Sequence, residues 1–313
     1  AGASVTTGVS NVILGALAGD ALTDADSNIA IGVQALGSDV LGSRSVAIGD
    51  GALLAQNNTT ATNAYNNAMG YQAGVSTTTG TNNNIHGGLA GDALTTGSFN
   101  VAIGTSALSA DTTGQSSIAI GHQALQNQDN TTSGFVHNVA VGHKAGNSIT
   151  SGTQNTVLGG LVGDALTTGS TNTAMGYLSL STDTQGSSAV ALGNSALNAQ
   201  NFTTANTNYN VAVGSNAGAS ITTGVNNVFV GGLAGDALTD ADFNVAVGVA
   251  ALTSDTLGSQ SVAVGMNALT AQNMTTATDA FNVAAGHAAG AAITTGVQNV
   301  FIGGLSGDST TDA

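Results

Sequence analysis

Seventeen acidic side chains, all aspartate, are the residues of this 313-residue chain best suited by type and spacing to do chemistry. Asp20, Asp92, Asp164, Asp236 and Asp308 recur every 72 residues, and Asp39, Asp111, Asp183 and Asp255 form a second row with the same period. Asp24, Asp26, Asp240 and Asp242 flank the first row in two of the blocks. Where a chain stacks on itself, such rows could bring carboxylates around one hard cation, and Ca²⁺ takes about six to eight oxygen ligands. Calcium is therefore the one cofactor the residues suggest, with Asp20, Asp39, Asp92, Asp111, Asp164, Asp183, Asp236 and Asp255 as its ligands. The competing reading is that Asp caps turns through its own backbone and keeps the surface soluble.

Other chemistry has less to stand on. Among His86, His122, His137, His143 and His287, His143 and His287 share one repeat column two blocks apart, and the rest are read as scattered. Glu is absent, and no Ser–His–Asp arrangement can be argued. The stretch Gly87-Gly88-Leu89-Ala90-Gly91-Asp92 lacks the Lys-Ser/Thr of a phosphate-binding loop. No catalytic residue is assigned, and a non-enzyme is expected. Asn-x-Thr sequons at Asn57, Asn58, Asn130, Asn201 and Asn273 are candidate glycosylation sites, which would set sugars in a row. Arg44 and Lys144 are the only basic residues and the net charge is −15, so phosphate neutralisation of nucleic acid has no footing. No apolar run has the length of a membrane-spanning helix. Without Cys there are no disulfides. The start at Ala1, with no leader pattern, suggests a mature or trimmed product.

The elements that position these residues follow from a ruler of glycines. Gly15, Gly32, Gly49, Gly70 and Gly87 begin a series of seventeen, spaced 17, 17, 21 and 17 residues, and that set repeats every 72 residues. Repeats of this size mark stacked architectures in which each unit buries its apolar face against its neighbours. With 45 Gly, no Pro and 6% charged residues, the chain is rich in turn formers and poor in helix formers. With each Gly as position zero, −1 is apolar in sixteen of seventeen units, −2 is never polar, −3 is usually Val or Ile, and −4 is Asn in thirteen. Adjacent strand residues face opposite sides, so −1 and −2 cannot share one lumen. The strand is expected to be covered on both faces, once by its own coil and once by another copy of the chain. The large −2 residues Ile13, Ile85, Val157, Phe229 and Phe301 are assigned to that self-association.

After each Gly, +3 is small, +4 alternates between pairs of Gly and pairs of Leu, and Thr recurs at +8. The Thr-Thr-Gly runs suggest corners, with Gly42, Gly80, Gly97 and Gly114 at +10 supplying a positive φ. The 21-residue gaps add a loop at one corner, as in residues 56–65 and 200–209. The Asn column at −4 is expected to form a side-chain ladder along the stack. The Thr column raises ice binding as an alternative, although Asn57, Asp129, Asn201 and Asn273 interrupt it. The expected fold is all-β, a parallel β-solenoid (β-roll) of about 17 coils of 17/17/17/21 residues. It is read as one continuous domain over 1–313.

Ser45-Val46-Ala47-Ile48-Gly49 and Ser117-Ile118-Ala119-Ile120-Gly121, each followed by x-x-Ala, resemble the head repeats of YadA-like trimeric autotransporter adhesins and related phage tail-fibre repeats. The resemblance implies a parallel β-roll and three chains packed around a common axis. The coils here are longer than that family's common repeat, and no coiled-coil stalk is recognisable. Both ends read as ordinary repeat, which suggests head-to-tail stacking into open filaments. Together these readings lead to a non-enzymatic, self-associating subunit of an extracellular fibre, at a cell surface or on a virion appendage, serving attachment or matrix building. Its partners would be copies of itself and an environmental or host surface. The alternatives are a trimeric adhesin head or tail-fibre segment, and a calcium-dependent or ice-binding solenoid.

Overall fold

The computed structural model describes residues 1–131 and 134–311, and over them the chain is all-β, a parallel β-solenoid of about seventeen coils. It divides into two compact units, Ala1–Asn155 and Thr156–Ala313. In the first, eight three-residue strands run from Val12–Leu14 to Val139–Val141 and pair in parallel one coil apart, as Val101, Ala102 and Ile103 do with Ile118, Ala119 and Ile120. In the second, nine such strands run from Thr156–Leu158 to Val300–Ile302 with the same register, Val245–Val247 beside Val262–Val264.

Each strand ends at the ruler glycine because there the backbones of neighbouring coils touch. Gly104 has φ 126°, and a Cβ on it would lie 2.5 Å from the carbonyl oxygen of Gly121 in the next coil. The corner glycines at +10 behave differently from expectation. Gly80, Gly97 and Gly114 lack a positive φ; they are glycine because no side chain fits between the corner and its surroundings, Gly97 beneath the carbonyl of Gly114 and Gly114 against the carboxylate of Asp111. The left-handed residues sit instead at −5, +2 and +4, as Ser116, Gln123 and Leu125 show with φ 61°, 58° and 48°.

Inside the coil the core is a thin file of small side chains. The +3 alanines, such as Ala18, Ala35 and Ala52, are completely buried, and so are the −2 residues from Ala30 onward in the first unit. The alternation at +4 is volume compensation. Where +4 is Gly, the space goes to a large −2 side chain of the same or the following coil, and in most of these coils to an apolar +7: Gly91 lies against Leu94 and Ile85, and Gly218 against the Phe229 ring of the next coil, where an added Cβ would come within 2.6 Å. Where +4 is Leu, as at Leu36, Leu53, Leu108 and Leu125, −2 is Ala and +7 is polar. This corrects the self-association assignment. Ile85, Val157 and Phe229 have no exposed surface, and Ile13 and Phe301 are half-buried on the same inward column. They fill the room left by glycine, and the solvent-facing columns of the strand are −3 and −1.

The Asn column bonds chiefly to backbone and only locally as a side-chain ladder, where Asn227 Nδ2 donates to Asn210 Oδ1 (3.3 Å). Asn100 Oδ1 accepts from the backbone N–H of Ser117 in the next coil (2.9 Å), and its Nδ2 donates to the carbonyl of Gly114 (2.9 Å). Asn83 and Asn244 repeat this with Asn100 and Gly97, and with Ser261 and Gly258. Each buried amide thus replaces main-chain partners that the corner would otherwise leave without bonds.

Candidate functional site

The two aspartate rows occupy different environments. Asp39, Asp111, Asp183 and Asp255 are fully buried at +7, and each faces the +7 Gln of the following coil. Asp111 Oδ2 accepts from Gln128 Nε2 at 2.5 Å, and its Oδ1 accepts from the backbone N–H of Gly114 (3.0 Å) and of Asn130 (3.4 Å). Gln128 Nε2 also donates to Ser117 Oγ (3.0 Å), while its Oε1 accepts from Asn138 Nδ2 (2.9 Å). The same cluster recurs as Asp39–Gln56–Ser45–Asn66 and Asp255–Gln272–Ser261–Asn282. In the third block Ala189 replaces the serine, and Asp183–Gln200–Asn210 persists.

The cluster sits under the four-residue insertion. Each inserted corner is flanked by a short two-stranded ladder, Gly42–Ser43 with Thr62–Asn63 in the first case and Gly258–Ser259 with Thr278–Asp279 in the last. There the −4 residue is Ser or Ala instead of Asn, and the Gln side chain supplies the amide. These glutamines are the residues that sequence reasoning missed. Their signal was available, since +7 reads Leu, Asp, Gln and Ile or Thr through the four coils of a block.

The other metal candidates lie nearer the surface. Asp20 borders a shallow depression of about 210 Å³ with Leu17, Gln34, Gly37, Ser38 and Leu54. Asp236 accepts from Thr253 Oγ1 of the next coil. The Asp39-type carboxylates spend their oxygens on donors inside the coil, so stacking does not gather the two rows around one point. Among the described residues no three His, Cys, Asp or Glu side chains are clustered as ligands.

Burial pushes the Asp92 carboxyl above its ordinary value of 3.8, against hydrogen bonds from the backbone N–H groups of Asp92 and Ala93, and it pushes Asp111 in the same direction. A raised carboxyl pKa means the fold holds the proton more tightly than the unfolded chain does. Its charged form then costs stability in full above the raised value, and the cost fades as pH falls towards 3.8. Asp92→Asn is therefore expected to gain stability over the wild type as pH rises from 4 to 7, read from urea midpoints at both ends. A gain that shrinks with rising pH would contradict the burial argument.

The sequons separate into two kinds. Asn57 is exposed on the inserted corner, and Asn201 and Asn273 are partly exposed at the equivalent +8 position. Asn58 is only 5% exposed, and its N–H donates to Asp39 Oδ1 (2.8 Å). It fills the inward +9 position taken by Phe202 and Met274 in later blocks, so the folded chain offers no room for a sugar there. Asn130, also at +9, is partly buried, and Thr132 of its sequon lies outside the described residues. The Thr column is internally bonded: Thr78 Oγ1 donates to the Thr95 carbonyl (3.1 Å) and Thr95 Oγ1 to that of Thr112 (2.8 Å). His122, read as scattered, stands in the same +1 column as His143, and their rings stack at 5.5 Å.

The chain matches no protein-family model, no curated protein and no solved structure. What the geometry defines is a class: a parallel β-roll solenoid whose coils are plugged by buried Asp–Gln–Asn clusters.

Proposed function

We propose that this chain is a non-enzymatic structural subunit of an extracellular fibre, at a cell surface or on a virion appendage, and that it joins copies of itself through the outward face of its strands. The observation that carries this reading is that face itself. In the first unit its −1 column reads Leu14, Ile31, Ile48, Met69, His86, Ile103, Ile120 and Val141, and its −3 column is Val, Ile or Asn. Leu14 and Met69 are 65% and 45% exposed. Neither column carries an Asp, Lys or Arg anywhere along a chain of net charge −15. Contiguous apolar surface of this kind is rare on soluble monomers and marks interaction sites. A second copy suits it because two such faces meet without burying charge.

A second reading, a trimeric adhesin head or tail-fibre segment, is favoured by the Ser45–Gly49 and Ser117–Gly121 motifs. Sedimentation velocity and electron microscopy separate the two: long uniform filaments support the fibre, and discrete three-chain rods support the head. Ile103→Asp with Ile120→Asp is expected to leave a folded β-rich monomer while the wild type sediments as an assembly. A wild type that stays monomeric at every concentration overturns both.

A further inference from the structure

The −5 position is left-handed in every coil, with φ between about 50° and 63°, and it lies on an exposed corner beside the outward strand face. Most coils place Ser, Asn, Gln or Thr there; small polar side chains bond locally, and Asn tolerates this conformation best. Six coils do not. In the first unit −5 is Tyr65, Phe99 and His137, on every second coil, and in the second unit it is Tyr209, Phe243 and Phe281, again on every second coil. Tyr65, Phe99, Tyr209, Phe243 and Phe281 are 48%, 54%, 60%, 56% and 45% exposed, and His137 is exposed with Phe135 stacked on its ring at 5.4 Å.

These rings occupy a strained backbone position and stay about half exposed, Tyr65 with the Arg44 guanidinium over its ring (5.7 Å) and its hydroxyl accepting from Arg44 Nη1 (2.7 Å), and exposed apolar surface of this kind marks interaction sites. Stacking fixes their spacing. The −5 N–H donates to the −6 carbonyl of the preceding coil, as Asn82 does to Ala64 (2.8 Å), Phe99 to Thr81 (3.0 Å) and Phe243 to Val225 (3.1 Å). With rungs about 4.8 Å apart, the −5 positions of alternate coils stand roughly 10 Å apart along the stack. The intervening corners carry hydrogen-bonding side chains, Asn82 and Ser116 in one unit and Asn226 and Gln260 in the other.

We propose that each row is a binding strip for an extended β-1,4-linked polysaccharide. Two sugar rings of such a chain advance by close to the interval between these aromatics. Alternate sugars then lie flat on a ring while their hydroxyls meet the polar side chain between. An exposed aromatic ring offers an apolar face to the C–H side of a sugar and leaves the hydroxyls wet. Helical α-linked glucans do not keep this interval. The strip is formed within one chain, so it stands whether or not copies associate.

The test uses the full chain, retained on microcrystalline cellulose and on chitin, with starch granules as the α-linked comparison. All six row residues are replaced by Asn, the residue native to this corner at Asn82 and Asn226, so the fold is expected to survive with unchanged circular dichroism. Wild type is expected to be retained on cellulose, on chitin or on both, and hardly on starch, and the sixfold variant to lose at least tenfold of that retention. Ile103→Asp with Ile120→Asp is expected to keep it, which separates the strip from the self-association face. No retention of wild type, equal retention of the variant, or equal binding to starch would overturn the proposal. So would a variant whose assembly state changes while glycan retention does not, because the rows would then be contacts between copies.

Discussion

Alanine at Gly104 is expected to destabilise the coil by on the order of 4 kcal/mol, read from urea or guanidinium unfolding of the purified chain. Two costs add. At φ 126° the backbone lies in a region essentially closed to side chains, costing roughly 1–3 kcal/mol for anything but Gly. The new Cβ also meets the Gly121 carbonyl at 2.5 Å, and the main chain cannot yield there without parting two coils, so overpacking adds roughly 1–3 kcal/mol more. The control lies nearby in the sequence. Gly88 has no positive φ, and the nearest atom to its hypothetical Cβ is the Tyr71 carbonyl oxygen at 4.0 Å, so Gly88→Ala is expected to be neutral or slightly stabilising. If both substitutions cost the same, close backbone stacking is not what selects the ruler glycines.

Gln128→Leu is expected to cost roughly 3–5 kcal/mol despite similar side-chain volume. It strips Asp111 Oδ2 of its donor, Ser117 Oγ of its partner and Asn138 Nδ2 of one of its two acceptors, all in a fully buried cluster. A buried carboxylate that loses its donor is far costlier than a hydroxyl that does, so the charge dominates. The penalty therefore carries a pH signature. Losing a donor that had held the Asp111 pKa down raises it further, and the variant should recover part of the deficit as pH falls through that raised value towards the ordinary range. Ser117→Ala is expected to cost less than about 1 kcal/mol, because the cluster around Asp183 already runs with Ala189 in that place. A Gln128→Leu cost as small as that of Ser117→Ala, or one independent of pH, would remove the network from the account of the inserted corner.

The glycine ruler made the coil legible because contact between stacked backbones tolerates only Gly, and a constraint of that severity prints its period directly on the sequence. The strand at −3 to −1 followed from apolar columns in the same way, whereas the +3 column reads only as small and its burial is seen in the structure. Which of the two apolar columns faces inwards did not follow, because −1 and −2 are equally apolar as letters. As letters the large −2 residues suit an outer contact, whereas in the coil they fill the room left by glycine. Nor could column-reading separate two demands that both select Gly: at +10 the reason is space, while the left-handed turns fall on Ser, Gln, Tyr and Leu.

For the candidate site the division is similar. Sequence alone determined the periods, the repeating Asp rows and the recurrence of Asn at −4, since each depends on one residue meeting the same environment once per coil. Tertiary structure decided that Asp39 and Asp111 spend their oxygens on Gln56, Gln128 and backbone N–H groups, that Asn58 is buried while Asn57 is exposed, and that the rings at −5 stand exposed. Those outcomes depend on contacts between residues 17 to 21 apart in the chain, whose mutual orientation is set by how coils stack and which no single column contains.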